Sequence, residues 1–213
     1  MLDLSLTPFA ATAYIATVVV MALTPGPDMV LYLGKTLSQS RQAGLVTFAG
    51  AATGLLVHTT LAAVGLSALL AASATAFTVV KIVGALYLLY LAVDAIRRGS
   101  AFALRPSGSR EPPGSLYVKG LLVNLLNPKI VVFFVTLLPQ FVAADAANPT
   151  QTLLVLGVAF IFIAAPICVA QILAASALAR FLRRSNWGMR AIDYLFAGVM
   201  SVFAVKLALS EGR

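Results

Sequence analysis

Two groups in this 213-residue chain have the chemistry to hold a small charged solute, and they carry opposite signs. Asp28 lies in the run Thr24-Pro25-Gly26-Pro27-Asp28-Met29-Val30-Leu31, and Lys129 lies in Asn124-Leu125-Leu126-Asn127-Pro128-Lys129-Ile130-Val131. Both runs sit inside stretches apolar enough to cross a membrane. There an aspartate costs about 2.5 to 3.5 kcal/mol on insertion scales, and an interior proline costs about 3 kcal/mol. A sequence that bears both penalties at one place marks a site. A deep carboxylate takes a proton or an ammonium group, and a half-helix N-terminus beside it offers N–H donors to a carboxylate. Asp28, Lys129 and the helix ends next to them therefore suit a small zwitterion. The alternative is that the two charges pair and only offset each other's desolvation, which a buried ion pair does incompletely. Both arrangements stay open on the sequence, and each can hold in a different state of a transport cycle.

Broken helices are predicted to position these groups. Pro27 has no N–H and suits the first position of a new half-helix, with Gly26 before it, where the chain turns after Pro25. Laying Gly26-Pro27-Asp28 over Asn127-Pro128-Lys129 puts proline on proline and acid on base. Breaks at matching positions of two halves point to a transporter's binding site. Asn127 caps the half-helix that Pro128 opens, where no water reaches the backbone donor. Asn124, three residues earlier, shares its face.

Composition sets the class. With 61% hydrophobic residues, 10% charged residues and a mean hydropathy of +0.98, the chain is far more apolar than a soluble domain, which carries about a quarter charged residues. At about 20 residues per crossing, the length accommodates six transmembrane helices and short loops. The predicted fold is all-α, a polytopic membrane protein of six transmembrane helices in two inverted three-helix repeats, with helices 1 and 4 broken. The first repeat spans residues 1–97, a cytoplasmic linker 98–115, and the second repeat 116–213. The start, Met1-Leu2-Asp3, lacks a basic n-region, so a removable signal peptide is not expected. Of the 15 Lys and Arg, 11 fall in the first, third and fifth connections, among them Lys35, Arg41, Arg110 and Lys119. This places those connections in the cytoplasm and both termini outside. Topology thus explains the net charge of +8, and a nucleic-acid partner is not expected. Cys168 is the single cysteine and His58 the single histidine, so neither an internal disulfide nor a metal-ligand set is expected, and no cofactor is implied.

The remaining polar positions have structural readings beside functional ones. Gly50 and Gly54 form a GxxxG spacing that lets a second backbone approach closely. His58, one turn on, reads as a hydrogen-bonded core residue or as a proton relay. Tyr87 reads as a belt anchor or as a hydroxyl offered to a ligand. Pro166 predicts a kink, and Gln171 reads as an interhelical hydrogen bond or a substrate contact. Lys81, Asp94, Asp193 and Lys206 are expected at the membrane interfaces, where snorkelling or neighbouring arginines account for them.

Thr24-Pro25-Gly26-Pro27-Asp28, Gly50 and Gly54 with His58, Gly84-Ala85-Leu86-Tyr87-Leu88, Asn127-Pro128-Lys129 and Pro139-Gln140-Phe141 occur in this order over nearly the whole chain. In this the chain resembles the lysine-exporter (LysE/RhtB) family. The resemblance implies a bacterial inner-membrane exporter of amino acids or close derivatives of the homoserine/threonine/leucine type. It also implies proton antiport, assembly as a homo-oligomer, and site residues at Pro25, Gly26, Pro27, Asp28, Asn127, Pro128 and Lys129. Export direction and proton coupling follow from the resemblance alone. The competing classes are a non-transporting membrane scaffold, in which Asp28 and Lys129 are structural, and a divalent-cation exporter, which needs several deep carboxylates. A membrane-embedded enzyme lacks a nucleophile and base set.

Overall fold

The computed structural model describes residues 7–66, 110–143 and 146–175, with isolated helical positions between 79 and 97 and between 177 and 205. Among the described residues every regular element is helical. Helix α1 is Pro8–Leu23, α2 is Pro27–Ser38, and α3 is Arg41–Leu61, which runs on into a wide π turn at Ala62–Leu66. Helix α4 is Pro113–Leu125, and α5 is Pro128–Val132, continued by a π turn at Phe133–Leu137 and a 3₁₀ turn at Leu138–Phe141; α6 is Pro149–Leu173.

Local chemistry sets these boundaries. Five of the six helices begin with proline, whose missing N–H is an orphan donor at that position in any case. Thr7, Ser40, Asn127 and Asn148 each accept a hydrogen bond from a first-turn backbone N–H, at 3.2, 3.1, 3.0 and 3.1 Å. Helices α2 and α4 have no such side-chain cap.

Helices α3 with its π turn (Arg41–Gly65) and α6 are each long and apolar enough to cross a membrane. The pairs α1–α2 and α4–α5 qualify when each is taken as one broken span, and both pairs bend by 49°. These four spans match the predicted first, second, fourth and fifth helices, breaks included. The predicted third and sixth helices, Tyr87 among them, lie outside the described residues apart from the isolated positions. Helix α6 runs on through Pro166 as one element.

Of two core clusters among the described residues, the smaller joins Met29, Tyr32 and Leu33 of α2 to Cys168 and Ile172 of α6, and the larger lies on one side of the two breaks. Val18 of α1, Phe133, Phe134 and Leu137 after the second break, and Leu153 and Phe160 of α6 pack there almost free of solvent. The Tyr14 hydroxyl donates to the Leu156 carbonyl at 2.5 Å, tying α1 to α6. On the other side α3 and α4 cross backbone to backbone. A Cβ added at Gly50 would meet the Tyr117 carbonyl carbon and the Leu121 nitrogen at 2.9 Å, and one at Gly120 would meet the Thr47 carbonyl carbon at 2.9 Å. The GxxxG spacing is therefore spent on helix packing. Backbone cannot step aside as a side chain can, so Gly50→Ala should destabilise the protein by about 1 to 3 kcal/mol. Gly34→Ala, with nothing within 4 Å of the new methyl, should instead gain up to about 1 kcal/mol from helix propensity. Denaturant titration of the two variants in one detergent measures the contrast.

The segment predicted as linker up to residue 115 ends earlier. Helix α4 already starts at Pro113, and Glu111 ahead of it is held by two lysines. Its Oε1 lies 2.6 Å from Lys35 Nζ, at the end of α2, and its Oε2 lies 2.5 Å from Lys119 Nζ. Lys35, counted on the sequence among the basic residues of the first connection, is buried in the last turn of α2. Hydrogen bonds from Lys119 and Lys35 hold the Glu111 carboxyl down at about 2, from an ordinary value of 4.5. A depressed folded-state value makes this contribution complete above pH 4.5 and lost as the pH falls toward 2. Thermal unfolding followed through that window should show a decline that Glu111→Gln lacks.

Candidate functional site

The two breaks meet, and each completes the other. At the first, α1 ends in carbonyls that have no intrahelical partner, as every helix does. Lys129, from the second break, donates from Nζ to the carbonyls of Thr24 at 2.9 Å and Met21 at 3.1 Å. Gln171 of α6 donates to the Ala22 carbonyl at 3.1 Å and accepts from the Tyr32 hydroxyl. The Val20 carbonyl takes the Thr24 backbone N–H at 2.9 Å and the Thr24 hydroxyl at 2.6 Å. A cation near a helix C-terminus is favoured by the aligned peptide dipoles as well as by these bonds.

The second break is answered in the opposite sense. Asp28, in the first turn of α2, accepts on Oδ2 from Asn124 Nδ2 at 2.8 Å and from Asn127 Nδ2 at 2.9 Å. Asn127 uses both ends of its amide, since its Oδ1 also caps the Lys129 N–H at 3.0 Å. Asn124 fits because Gly54 has no side chain: a Cβ there would meet Asn124 Cβ and Cγ at 2.9 Å. Asn124 and Asn127 are each 1% exposed, so their amides are fixed by these bonds and not by water.

Of the two arrangements left open on the sequence, the direct pairing of Asp28 with Lys129 is absent. Among the described residues the ion pairs within 4.0 Å are those of Glu111; Asp28 is bound by two amides and Lys129 by two carbonyls. Gly26 also serves differently from the turn expected of it. Its backbone is extended, at φ −160°, a conformation open to any residue. The space is what matters, since a Cβ at Gly26 would meet Lys129 Nζ at 3.0 Å and Cε at 3.1 Å. The glycine lets the lysine side chain lie across the break.

Each charged group keeps something in reserve. Asp28 Oδ1 is buried and has no hydrogen-bond partner among the described residues. An ammonium has three donors, and Lys129 directs two of them at carbonyls. Beside them lies a cavity of about 50 Å³, lined on its polar side by Asp28, Lys129, Asn124, Thr24, Tyr32 and Cys168, and walled by apolar side chains including Phe48, Leu55 and Phe160. At about 10 to 15 Å³ per water centre this holds a few waters.

Of the residues picked out from sequence, Asp28, Asn124 and Lys129 line the cavity, while Gly26, Asn127, Pro25, Pro27 and Pro128 shape the breaks around it. His58 and Gln171 stand one layer back. His58 Nε2 lies 3.3 Å from the Asn124 carbonyl, so that nitrogen carries the proton, and the ring stacks on Phe134 at 5.6 Å. Gln171 makes the interhelical bonds given above. Tyr32, Phe48 and Cys168 were not legible as wall residues, because nothing in their spacing distinguishes a cavity wall from core.

The chain matches the LysE type translocator family over residues 19–211. It belongs to that family. An uncharacterised membrane protein of Vibrio cholerae is 33% identical over 93% of this chain and 96% of its own length. The homoserine/homoserine lactone efflux protein of Salmonella typhimurium is 29% identical over 92% and 94%. A leucine efflux protein of an Enterobacter strain is 28% identical over 92% and 93%. No solved structure is a significant match. In this LysE-type translocator the crossed breaks and their cavity fall inside the matched region.

Proposed function

We propose that this protein is a secondary active transporter that exports neutral amino acids or close derivatives, with the cavity between the two breaks as the transport site. The observation that carries this is that one cavity is lined both by Asp28, with a buried carboxylate oxygen lacking a partner among the described residues, and by Lys129, whose ammonium bonds two carbonyls. Asp28 Oδ1 accepts from a substrate ammonium, and the third Lys129 proton, with the uncapped N-terminus of α2 beside it, receives the carboxylate. The apolar wall of Phe48, Leu55 and Phe160 takes an uncharged side chain. Asp28 is the one carboxylate in the described lining, which suits a zwitterion better than a divalent cation, for which several oxygen ligands are needed. The relatives named for homoserine and leucine efflux support the same class of solute.

Asp28 is also the group suited to take a proton when no substrate is present, which couples export to the proton gradient by antiport. The membrane is the bacterial inner membrane, with the basic ends of α2 and α4 in the cytoplasm, both termini outside, and residues 1–97 and 116–213 as inverted halves; assembly is as a homo-oligomer. Vesicles containing the purified protein and loaded with a mixture of labelled amino acids test the reading. Neutral amino acids should leave faster than from empty-membrane controls, and faster still with a pH gradient. Retention of every neutral amino acid, with or without the gradient, would overturn it.

A further inference from the structure

Helices α2 and α4 run antiparallel along a seam that leads from the cavity to the basic face. On α2 the seam carries Asp28, Tyr32 and Lys35, at spacings of four and three that keep them on one side of a helix. From the α4 side Asn124 and, just ahead of the helix, Glu111 reach it, while Gly120 between them packs on Thr47 of α3. The inner end is tied by Asp28 and Asn124 at 2.8 Å. The outer end, about 10 Å along α2, is tied by Lys35 and Glu111 at 2.6 Å. Between these ties Tyr32 and Leu33, 3% and 1% exposed, pack on Phe48 of α3 and on Cys168 and Ile172 of α6. Glu111 thereby joins α2 in the first half of the chain to the start of α4 in the second, and Ser115 and Lys119 add bonds at 3.3 and 2.5 Å.

We propose that the α2–α4 seam is the gate between the cavity and the basic face, and that Glu111, through Lys35, is the residue that holds it shut. The two partners are unequal. The Lys35 side chain is 10% exposed and that of Lys119 is 50% exposed, so the first contact is shielded from water and salt and the second contributes little. Release of Lys35 frees the outer end of α2 to swing from α4 about the break at Gly26, exposing the cavity on that side while the aromatic core beyond the breaks stays closed. The inference rests on the cavity being the transport site. Its test reads access to the cavity without any substrate, so that it fails independently of the transport assay.

Cys168 lines the cavity and is the only cysteine in the chain, which makes it a native reporter. Membrane vesicles of both orientations are treated with a water-soluble, membrane-impermeant thiol reagent, and the labelling rate of Cys168 is measured from each face. Glu111→Gln and Lys35→Glu should each speed labelling from the basic face roughly three- to tenfold, about the bias that the one shielded ion pair exerts. Labelling from the other face should stay unchanged. Lys119→Gln and the conservative Lys35→Arg should label at the parent rate. Unchanged rates in both Glu111→Gln and Lys35→Glu would overturn the proposal. So would acceleration from both faces alike, which marks general loosening, or a Lys119→Gln effect as large as that of Glu111→Gln.

Discussion

Lys129→Met should leave the protein about 3 kcal/mol less stable and without efflux. The lysine donates two charge-assisted hydrogen bonds to the last turn of α1, and such bonds contribute about 1.5 to 3 kcal/mol each. The lower figure applies here, because backbone carbonyls of a membrane protein find other partners when the structure opens, and measured interhelical bonds are correspondingly weak. Methionine fills most of the space but donates nothing, so the Met21 and Thr24 carbonyls are left in an apolar wall and Asp28 loses its nearest described counter-charge. Denaturant titration in detergent measures the stability, and vesicle efflux the activity. A Lys129→Met protein as stable as its parent would show that the carbonyls of the first break are satisfied some other way.

Asp28→Asn should divide the two measurements. Stability should change little, because an amide oxygen still accepts from one of the two asparagines and a costly buried charge has gone. Efflux should fall by at least about tenfold, the factor that accompanies the loss of about 1.4 kcal/mol of ammonium binding, and the response to a pH gradient should vanish with it. The pair of variants therefore separates two proposed roles that the sequence runs together, Lys129 holding the break and Asp28 meeting the solute. Full efflux by the double variant Asp28→Asn with Lys129→Met would remove both from the transport site.

Much of this arrangement was legible before any coordinates. A proline inside a membrane-length apolar run has few structural outcomes, so Pro27 and Pro128 located both breaks to the residue, and Asn127 announced itself as a cap. The GxxxG spacing likewise predicted the close crossing that Gly50 and Gly54 make with α4. What stayed hidden depends on which distant segments meet. That Lys129 would reach the carbonyls of residues 21 and 24, and leave Asp28 to two asparagines, follows from the crossing of the two bends, and helical periodicity carries no information about that. Glu111 was invisible for a related reason. It stands among prolines and glycines in a stretch that reads as linker, and its partner Lys35 is 76 positions away. Gly26 shows a third limit: its identity was recognised, but the cause is a neighbouring side chain and not its own backbone angles.

The exchange of partners at the two breaks also bears on what a half of this protein can be. Residues 21 to 28 contain a helix end whose carbonyls need a cation and a carboxylate that needs amide donors, and among the described residues every side chain that answers them lies beyond residue 120. Either half alone in lipid would strand those groups in hydrocarbon, so neither is a self-sufficient membrane unit, and a chain severed between its halves regains its integrity only where both pieces share one bilayer.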